Sequence, residues 1–268
     1  MKVLTIQDIS CYGQCSTTVA LPILSANGIE TAILPSAILS THTSGFRNFI
    51  VHDLTAEMMK IVRHWEAEKI KFDAIYTGFI GDVRQFEIIL YAKNHLLKEG
   101  GLFIVDPAMA DNGQLYPTLS EPIVKGMRDL IKEADLIIPN ITEAAFLTGV
   151  GYRESSQNEA YVRILGDRLR KLGAKRVVMT SVQDKNLIGA YVDDGRDTDL
   201  VLKKKLPNTY HGSGDIFSSI LIANYLKGTS LVDSADIAAQ FICDAIEQTK
   251  GDKTHWYGLC YEGLLKNH

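Results

Sequence analysis

The spacing of apolar residues along the chain switches repeatedly between two periods. Short runs rich in β-branched and other apolar residues at 3–6, 29–34, 74–77, 102–105, 136–138 and 176–179 read as strands. Between them, apolar positions recur at helical spacing over 16–26, 55–68, about 83–98 and about 121–132, and again from Thr142 and from Glu159. Turn-forming pairs stand at the junctions: Asn27-Gly28, Gly100-Gly101, Asp106-Pro107 and Pro139-Asn140. Residues 187–192 and 200–204 predict a hairpin around the polar turn Asp193-Asp194-Gly195-Arg196-Asp197. Helices from Asp215, from Leu231 and near Tyr261 complete the pattern.

Strands that alternate with helices imply the α/β class, with a mostly parallel sheet covered on both faces. No linker, repeat or low-complexity segment interrupts residues 1–268, which read as one domain. In such sheets ligands gather beyond the carboxyl ends of the strands. The residues expected there are Asp8, Ser10, Thr41, His42, Thr43, Thr77, Gly78, Asp106, Asn140, Glu143, Thr180 and Ser181. Their acidic and hydroxyl-rich character suits a small polar substrate and a metal-bound nucleotide.

Composition removes several alternatives. Apolar residues at 46% and charged residues at 22% are ordinary for a globular protein. A net charge of -4 leaves no basic excess to neutralise nucleic-acid phosphates, and the one basic triplet, Lys203-Lys204-Lys205, reads as a solvated strand end. No run approaches the ~20 apolar residues of a membrane span. Residues 1–7 turn polar too soon for an export signal and read as a buried first strand. Cys11, Cys15, Cys243 and Cys260 lack the paired spacing of a zinc site, so reduced thiols and a cytoplasmic location are expected.

The sharpest chemical signal is His211-Gly212-Ser213-Gly214-Asp215, set before the apolar run Ile216-Phe217-Ser218-Ser219-Ile220, which reads as amphipathic. Two glycines one residue apart let a turn expose its N–H groups without Cβ interference. At a helix N-terminus those donors and the partial positive charge attract phosphate-like anions. Asp215 stands where a base could take the proton of an attacking hydroxyl, and a cradle plus a base is the minimum machinery for phosphoryl transfer. The same five residues also make an ordinary loop-to-helix junction, with Asp favoured in the first turn by the helix dipole.

Other strand ends carry similar double readings. Asp106 serves equally as a ligand for Mg2+ or as a cap on the Asp106-Pro107 turn. Asn140 and Glu143, three residues apart, share one face of a starting helix, and they also form a plain capping pattern. Thr180-Ser181 can bond a phosphate or ribose, or simply turn the chain. No Walker A sequence, kinase-type Gly-rich loop, GxSxG elbow or dinucleotide fingerprint occurs, so a phosphate would have to be cradled at Gly212–Gly214.

In chain order, the opening Ile-Gln-x-x-x-x-Tyr-Gly at 6–13, Leu39-Ser40-Thr41-His42-Thr43, Thr77-Gly78-Phe79 and Val105-Asp106-Pro107 are followed by three further motifs. These are Pro139-Asn140-x-x-Glu143, Val178-Met179-Thr180-Ser181 and Gly212-Ser213-Gly214-Asp215. Together they resemble the pyridoxal kinases of the ribokinase-like superfamily, over essentially the whole chain. The Gly-x-Gly-Asp turn and the Pro-Asn-x-x-Glu motif mark the superfamily, and the opening with the Ser-x-His-Thr stretch narrows it to the vitamin B6 branch.

The resemblance implies a three-layer α/β/α sandwich that phosphorylates the 5′-hydroxymethyl group of pyridoxal, pyridoxine or pyridoxamine with ATP. Mg2+ is the implied metal, a monovalent cation such as K+ a further candidate cofactor, and a homodimer the implied assembly. Asp215 would be the base, and the backbone of Gly212, Ser213 and Gly214 the anion hole. Asp106 and Glu143 would engage Mg2+ and phosphates with support from Asn140, Thr180 and Ser181 would lie along the nucleotide, and Thr43 and Phe79 would bound the pyridine ring. Where many relatives have Ser directly after Ile-Gln, this chain has Asp8, with Ser10 close by, so both become candidate ring contacts.

The related hydroxymethylpyrimidine kinases usually open with a Gly-rich segment that Gln14-Cys15-Ser16-Thr17 does not match. Hydroxymethylpyrimidine kinase activity is the same-class rival, and a non-catalytic B6-binding protein of this fold the rival from another class. A sugar kinase is disfavoured by the short amino terminus, which leaves no room for extra lid strands.

Overall fold

The computed structural model describes residues 1–154, 157–207 and 210–267. The strands are β1 (Lys2–Ser10), β2 (Glu30–Leu39), β3 (Val51–Asp53), β4 (Phe72–Thr77), β5 (Leu97–Val105), β6 (Ala110–Asp111), β7 (Gln114–Leu115), β8 (Leu136–Ile137), β9 (Val177–Asp184), β10 (Leu187–Asp193) and β11 (Thr198–Lys204). The helices are α1 (Thr17–Ala26), α2 (Thr55–Ala67), α3 (Arg84–Leu96), α4 (Glu121–Ile131), α5 (Ile141–Thr148), α6 (Glu159–Lys171), α7 (Ser213–Leu226) and α8 (Leu231–Thr249).

Successive side chains of a strand point to opposite faces, so an unbroken apolar run must be covered on both sides. Leu4, Ile75, Phe103 and Val177 join one core, which is closed by apolar residues of α2 to α6 such as Met58, Ile89, Val124, Ala144 and Leu165. Their strand neighbours Val3, Ala74, Ile104 and Val178 join the other, closed by α1, α7 and α8 through Ile23, Ile220 and Ala238. The result is a three-layer α/β/α sandwich.

The nine-stranded sheet has the order β11-β10-β9-β8-β5-β4-β1-β2-β3. Pairings from β2 across to β9 are parallel, whereas β3, β10 and β11 join antiparallel at the two edges. The chain builds outward from β1 in one direction, then returns to its other side with β4. That reversal opens a crevice at the carboxyl ends of the central strands, where a doubly wound sheet binds its ligands.

Most expected elements form, with several differences. The predicted helix near Tyr261 is only a single 3-10 turn at Leu264–Asn267. The short strands β3, β6 and β7 have no counterpart in the sequence reading. β1 runs on to Ser10 because β2 continues beside it across a bulge between Gln7 and Ile9. β9 likewise runs on because β10 pairs with it as far as Asp184, so Thr180 and Ser181 lie within a strand and not at a turn. Finally, the run after Asp215 is not amphipathic. Residues 216–223 are all buried, because α7 lies over the sheet with α1 and α8 against it. Among the described residues no helix is long and apolar enough to cross a membrane.

Candidate active site

The start of α7 is set by two glycines with different duties. Gly212 is its N-cap, in the left-handed region at φ 77, and a Cβ there would run into the carbonyl oxygen of Gln14. It lets the helix begin hard against the loop that follows β1. A Cβ on Gly214 would meet no protein atom within 4 Å, so this glycine faces open cleft. Asp215, in the first turn, accepts a 2.9 Å hydrogen bond from the Ser16 backbone N–H at Oδ2. Burial, with a smaller push from Asp8, raises its carboxyl to about 7 against the opposing Ser16 bond.

Asp106 follows β5, its N–H donating to the Thr77 carbonyl at 3.0 Å. Its Oδ2 accepts from Ser218 Oγ at 2.8 Å. Burial and the charge of Asp215 raise its carboxyl to about 8, partly opposed by Ser218. Glu143 is buried beside it: Oε1 accepts from the N–H groups of Met109 (3.0 Å) and Ala110 (3.4 Å), and Oε2 from that of Asn140 (2.8 Å). Asn140 Oδ1 accepts from Thr142 and Glu143 N–H, completing a capping box on α5, while its Nδ2 donates to the Ala110 carbonyl at 2.8 Å.

The capping reading of Asn140 and Glu143 holds, and the same pair lines the cleft. Asn140→Ala removes the α5 cap and the tie to Ala110. We expect it to lower the free energy of unfolding by about 1–2 kcal/mol, read from a urea titration.

Asp106 and Glu143 fit a hard divalent cation. Both are buried, burial and their mutual charge push the Glu143 carboxyl well up, and no Lys or Arg among the described residues pairs with either. Carboxylate oxygens without a countercharge are the donor set that Mg2+ prefers.

On the other side of Asp215, Ser10 Oγ donates to Asp8 Oδ2 at 2.9 Å, and burial raises the Asp8 carboxyl despite bonds from Ser16 and Ser10. The Ser44 N–H donates to His42 Nδ1 at 3.2 Å, which leaves Nε2 to carry the proton toward the Tyr257 carbonyl, 2.8 Å away. Burial lowers the His42 pKa, in keeping with a neutral ring.

All of the proposed catalytic, ring-side and nucleotide-side residues line one cleft of about 560 Å3. Asp8, Ser10, Thr43 and Phe79 come from β1 and from the chain beyond the ends of β2 and β4, whereas Asp106, Asn140, Glu143, Thr180 and Ser181 come from the chain beyond β5 and β8 and from β9. Thr41, Thr77 and Gly78, also expected at strand ends, are not among the lining residues. A second hollow of about 150 Å3 shares Thr180, Ser181, Tyr210, Ser213 and Gly214 with the cleft and has an apolar wall of Ile188, Phe217 and Ile242. Lys203, Lys204 and Lys205 also line it, so the triplet is more than a solvated strand end. Sequence reasoning missed Cys15, Tyr116 and Tyr210 in the cleft and Ile242 and Cys243 in the hollow. It also missed Ser218, whose position one helical turn after Asp215 was a usable signal.

The pattern of the phosphomethylpyrimidine kinase family matches residues 21–258. The chain belongs to this family. Among relatives, it is 27% identical to the pyridoxal kinase of Dictyostelium discoideum, across 94% of this chain and 87% of that one. A pyridoxal kinase structure from Lactobacillus plantarum superposes with a TM-score of 0.90 at 31% identity, covering 99% of this chain and 95% of that one. A Bacteroides thetaiotaomicron VPI-5482 structure, provisionally assigned as a phosphomethylpyrimidine kinase and crystallised with pyridoxal, gives 0.90 at 35% identity over 99% and 94%. The resemblance to the pyridoxal kinases drawn from the motifs is thus borne out, as is the ribokinase-like fold.

Proposed function

We propose that the protein is an ATP-dependent kinase acting on the 5′-hydroxymethyl group of pyridoxal, pyridoxine or pyridoxamine. The observation that carries this reading is the placement of a half-buried carboxylate, Asp215, in the first turn of a helix whose glycine-flanked N-terminus opens onto the cleft. In it, Asp215 accepts the proton of the hydroxymethyl group as the oxygen attacks the γ-phosphorus of ATP. The backbone N–H groups of Gly212, Ser213 and Gly214 face the charge on the transferring phosphoryl group. Asp106 and Glu143, with Asn140 holding Glu143, would hold Mg2+, which when bound neutralises phosphate charge. Thr180 and Ser181 line the phosphate and ribose path, and the apolar hollow beside them suits the adenine base. Thr43 and Phe79 bound the pyridine ring, with Asp8 and Ser10 within reach of its polar edge.

Relatives named hydroxymethylpyrimidine/phosphomethylpyrimidine kinases raise a second acceptor, hydroxymethylpyrimidine, which presents a similar CH2OH on a small heterocycle. Measuring ADP release with ATP and each of pyridoxal, pyridoxine, pyridoxamine and hydroxymethylpyrimidine separates the two. We expect the highest kcat/KM for a B6 vitamer; a higher value for hydroxymethylpyrimidine overturns the proposal, and vitamer binding without ADP formation points to a non-catalytic binder.

The proposal extends to one domain over 1–268, supported by the continuous nine-stranded sheet, and to a cytoplasmic location, supported by four free cysteines. It includes a homodimer, for which the exposed Ile38, Ile50 and Val51 around the edge strand β3 are the supporting surface. Sedimentation equilibrium should give twice the chain mass, and Ile50→Asp should return it to the single-chain mass.

A further inference from the structure

Residues 250–262, which follow α8, form a strap against the loops that carry Tyr12, His42 and Phe46. The Tyr257 carbonyl takes the His42 Nε2 hydrogen bond, the Tyr257 ring packs on Tyr12 at 4.9 Å, and Trp256 packs on Phe46 at 4.7 Å. Within this strap Asp252, His255 and Cys260 each offer one ligand-type atom, all within 4.8 Å of one another. We propose that these three side chains form a binding site for a divalent transition-metal ion of the zinc class, separate from the Asp106–Glu143 pair. This inference does not depend on the kinase reading.

The Asp252 and His255 side chains do not bond directly to each other. Asp252 Oδ2 and His255 Nδ1 are 3.7 Å apart, too far for a hydrogen bond. Bond lengths of about 2.0–2.2 Å to a shared tetrahedral ion place two such ligands roughly 3.3–3.6 Å apart, so a small closure suffices. Asp252 Oδ1 is occupied by the Thr254 N–H (2.8 Å) and Oγ1 (2.6 Å), and Oδ2 is the oxygen on the side of the His255 ring. His255 Nε2 is shielded from solvent, and among the described residues it has no hydrogen-bond partner. Cys260 is held in place by its N–H, which donates to Thr249 Oγ1 at 2.8 Å.

One thiolate, one imidazole and one carboxylate select a borderline-soft ion over Mg2+ or Ca2+, and three protein ligands leave a fourth position for water. Cysteine spacing alone argued against zinc, because it counts sulfur pairs and this set uses a single sulfur. A bound ion would pin the strap, and through Tyr257 it would steady His42 and Tyr12 along the acceptor wall.

The test is titration of the purified protein with Co2+, a coloured substitute for zinc, in excess Mg2+ and without nucleotide. One equivalent per chain should produce a thiolate-to-cobalt charge-transfer band with the strong visible bands of tetrahedral cobalt, all abolished by added Zn2+. Cys260→Ser should remove the charge-transfer band, and His255→Gln should weaken cobalt binding on the order of 100-fold. Thr254→Val, which frees Asp252 to swing away, should weaken it about 10–100-fold. Cys11→Ser, which removes an exposed thiol of another loop, should leave the spectrum unchanged. A charge-transfer band that persists in Cys260→Ser, cobalt affinity unchanged in His255→Gln, or no such band in the wild-type protein overturns the proposal.

Discussion

Asp215→Ala is expected to lower kcat for phosphorylation of a B6 vitamer by about 10²–10⁴-fold, with ATP affinity kept within a few-fold. The carboxylate is removed from the reacting oxygen, whereas the side chains of Asp106, Glu143 and the nucleotide-side hollow are all retained. Asp215→Asn keeps the volume and an oxygen for the Ser16 N–H, so an equal loss assigns the effect to the base and not to packing. The pH profile supplies an independent sign. A base must be deprotonated to act, and Asp215 sits at about 7, so kcat/KM should fall on the acid side with a midpoint near that value. Asp8 raises the Asp215 carboxyl through like charge. Asp8→Asn should therefore move the acid limb to lower pH, and a limb that stays in place or moves up would rule out this coupling.

The second large effect separates two glycines that sequence alone treats alike. Gly212→Ala should destabilise the protein by about 1–3 kcal/mol from left-handed backbone strain alone, with more from the collision with the Gln14 carbonyl. Gly214→Ala meets no protein atom and replaces a helical glycine by a better helix former, so its melting temperature should equal or exceed that of the wild type. Its turnover should nevertheless drop on the order of 10²-fold, because the methyl group enters the space required for the phosphoryl group and screens the donors there. Thermal melts and initial rates on both variants check this. Near-normal turnover in Gly214→Ala would mean that phosphate is not cradled at this turn.

The layer architecture was legible because its signals are local. Apolar runs such as 102–105 and 74–77 are too short for helices, and Asn27-Gly28 and Pro139-Asn140 mark real boundaries. What was not legible depends on neighbours distant in the chain. Thr180-Ser181 looks like a turn, and the chain does bulge there; only pairing with β10 on either side of the bulge carries the strand through it. α7 looks one-sided, and only the placement of α1 and α8 shows that it is buried all round. Two-residue strands such as β6 have no period to detect.

The candidate site shows the same division. Residues inside motifs were found, because a glycine turn or an Asn-x-x-Glu box announces itself locally. Cys15, Tyr210 and Ile242 carry no such mark and reach the cleft or its hollow through topology. At Asn140 and Glu143 the capping pattern was legible and its placement was not: the hydrogen bonds that cap α5 also hold a buried carboxylate at the cleft wall.

The central claim is that the Gly212–Asp215 turn transfers phosphate from ATP to the hydroxymethyl group of a B6 vitamer. Phosphorus-31 NMR of ATP, Mg2+ and pyridoxal with the wild-type protein and with Asp215→Ala tests it most directly. The account predicts equimolar ADP and pyridoxal 5′-phosphate with the wild type, and neither above background with the variant while pyridoxal and ATP still bind. Phosphorylated pyridoxal formed at the wild-type rate by Asp215→Ala, or ADP formed by the wild type without a phosphorylated vitamer, would contradict it.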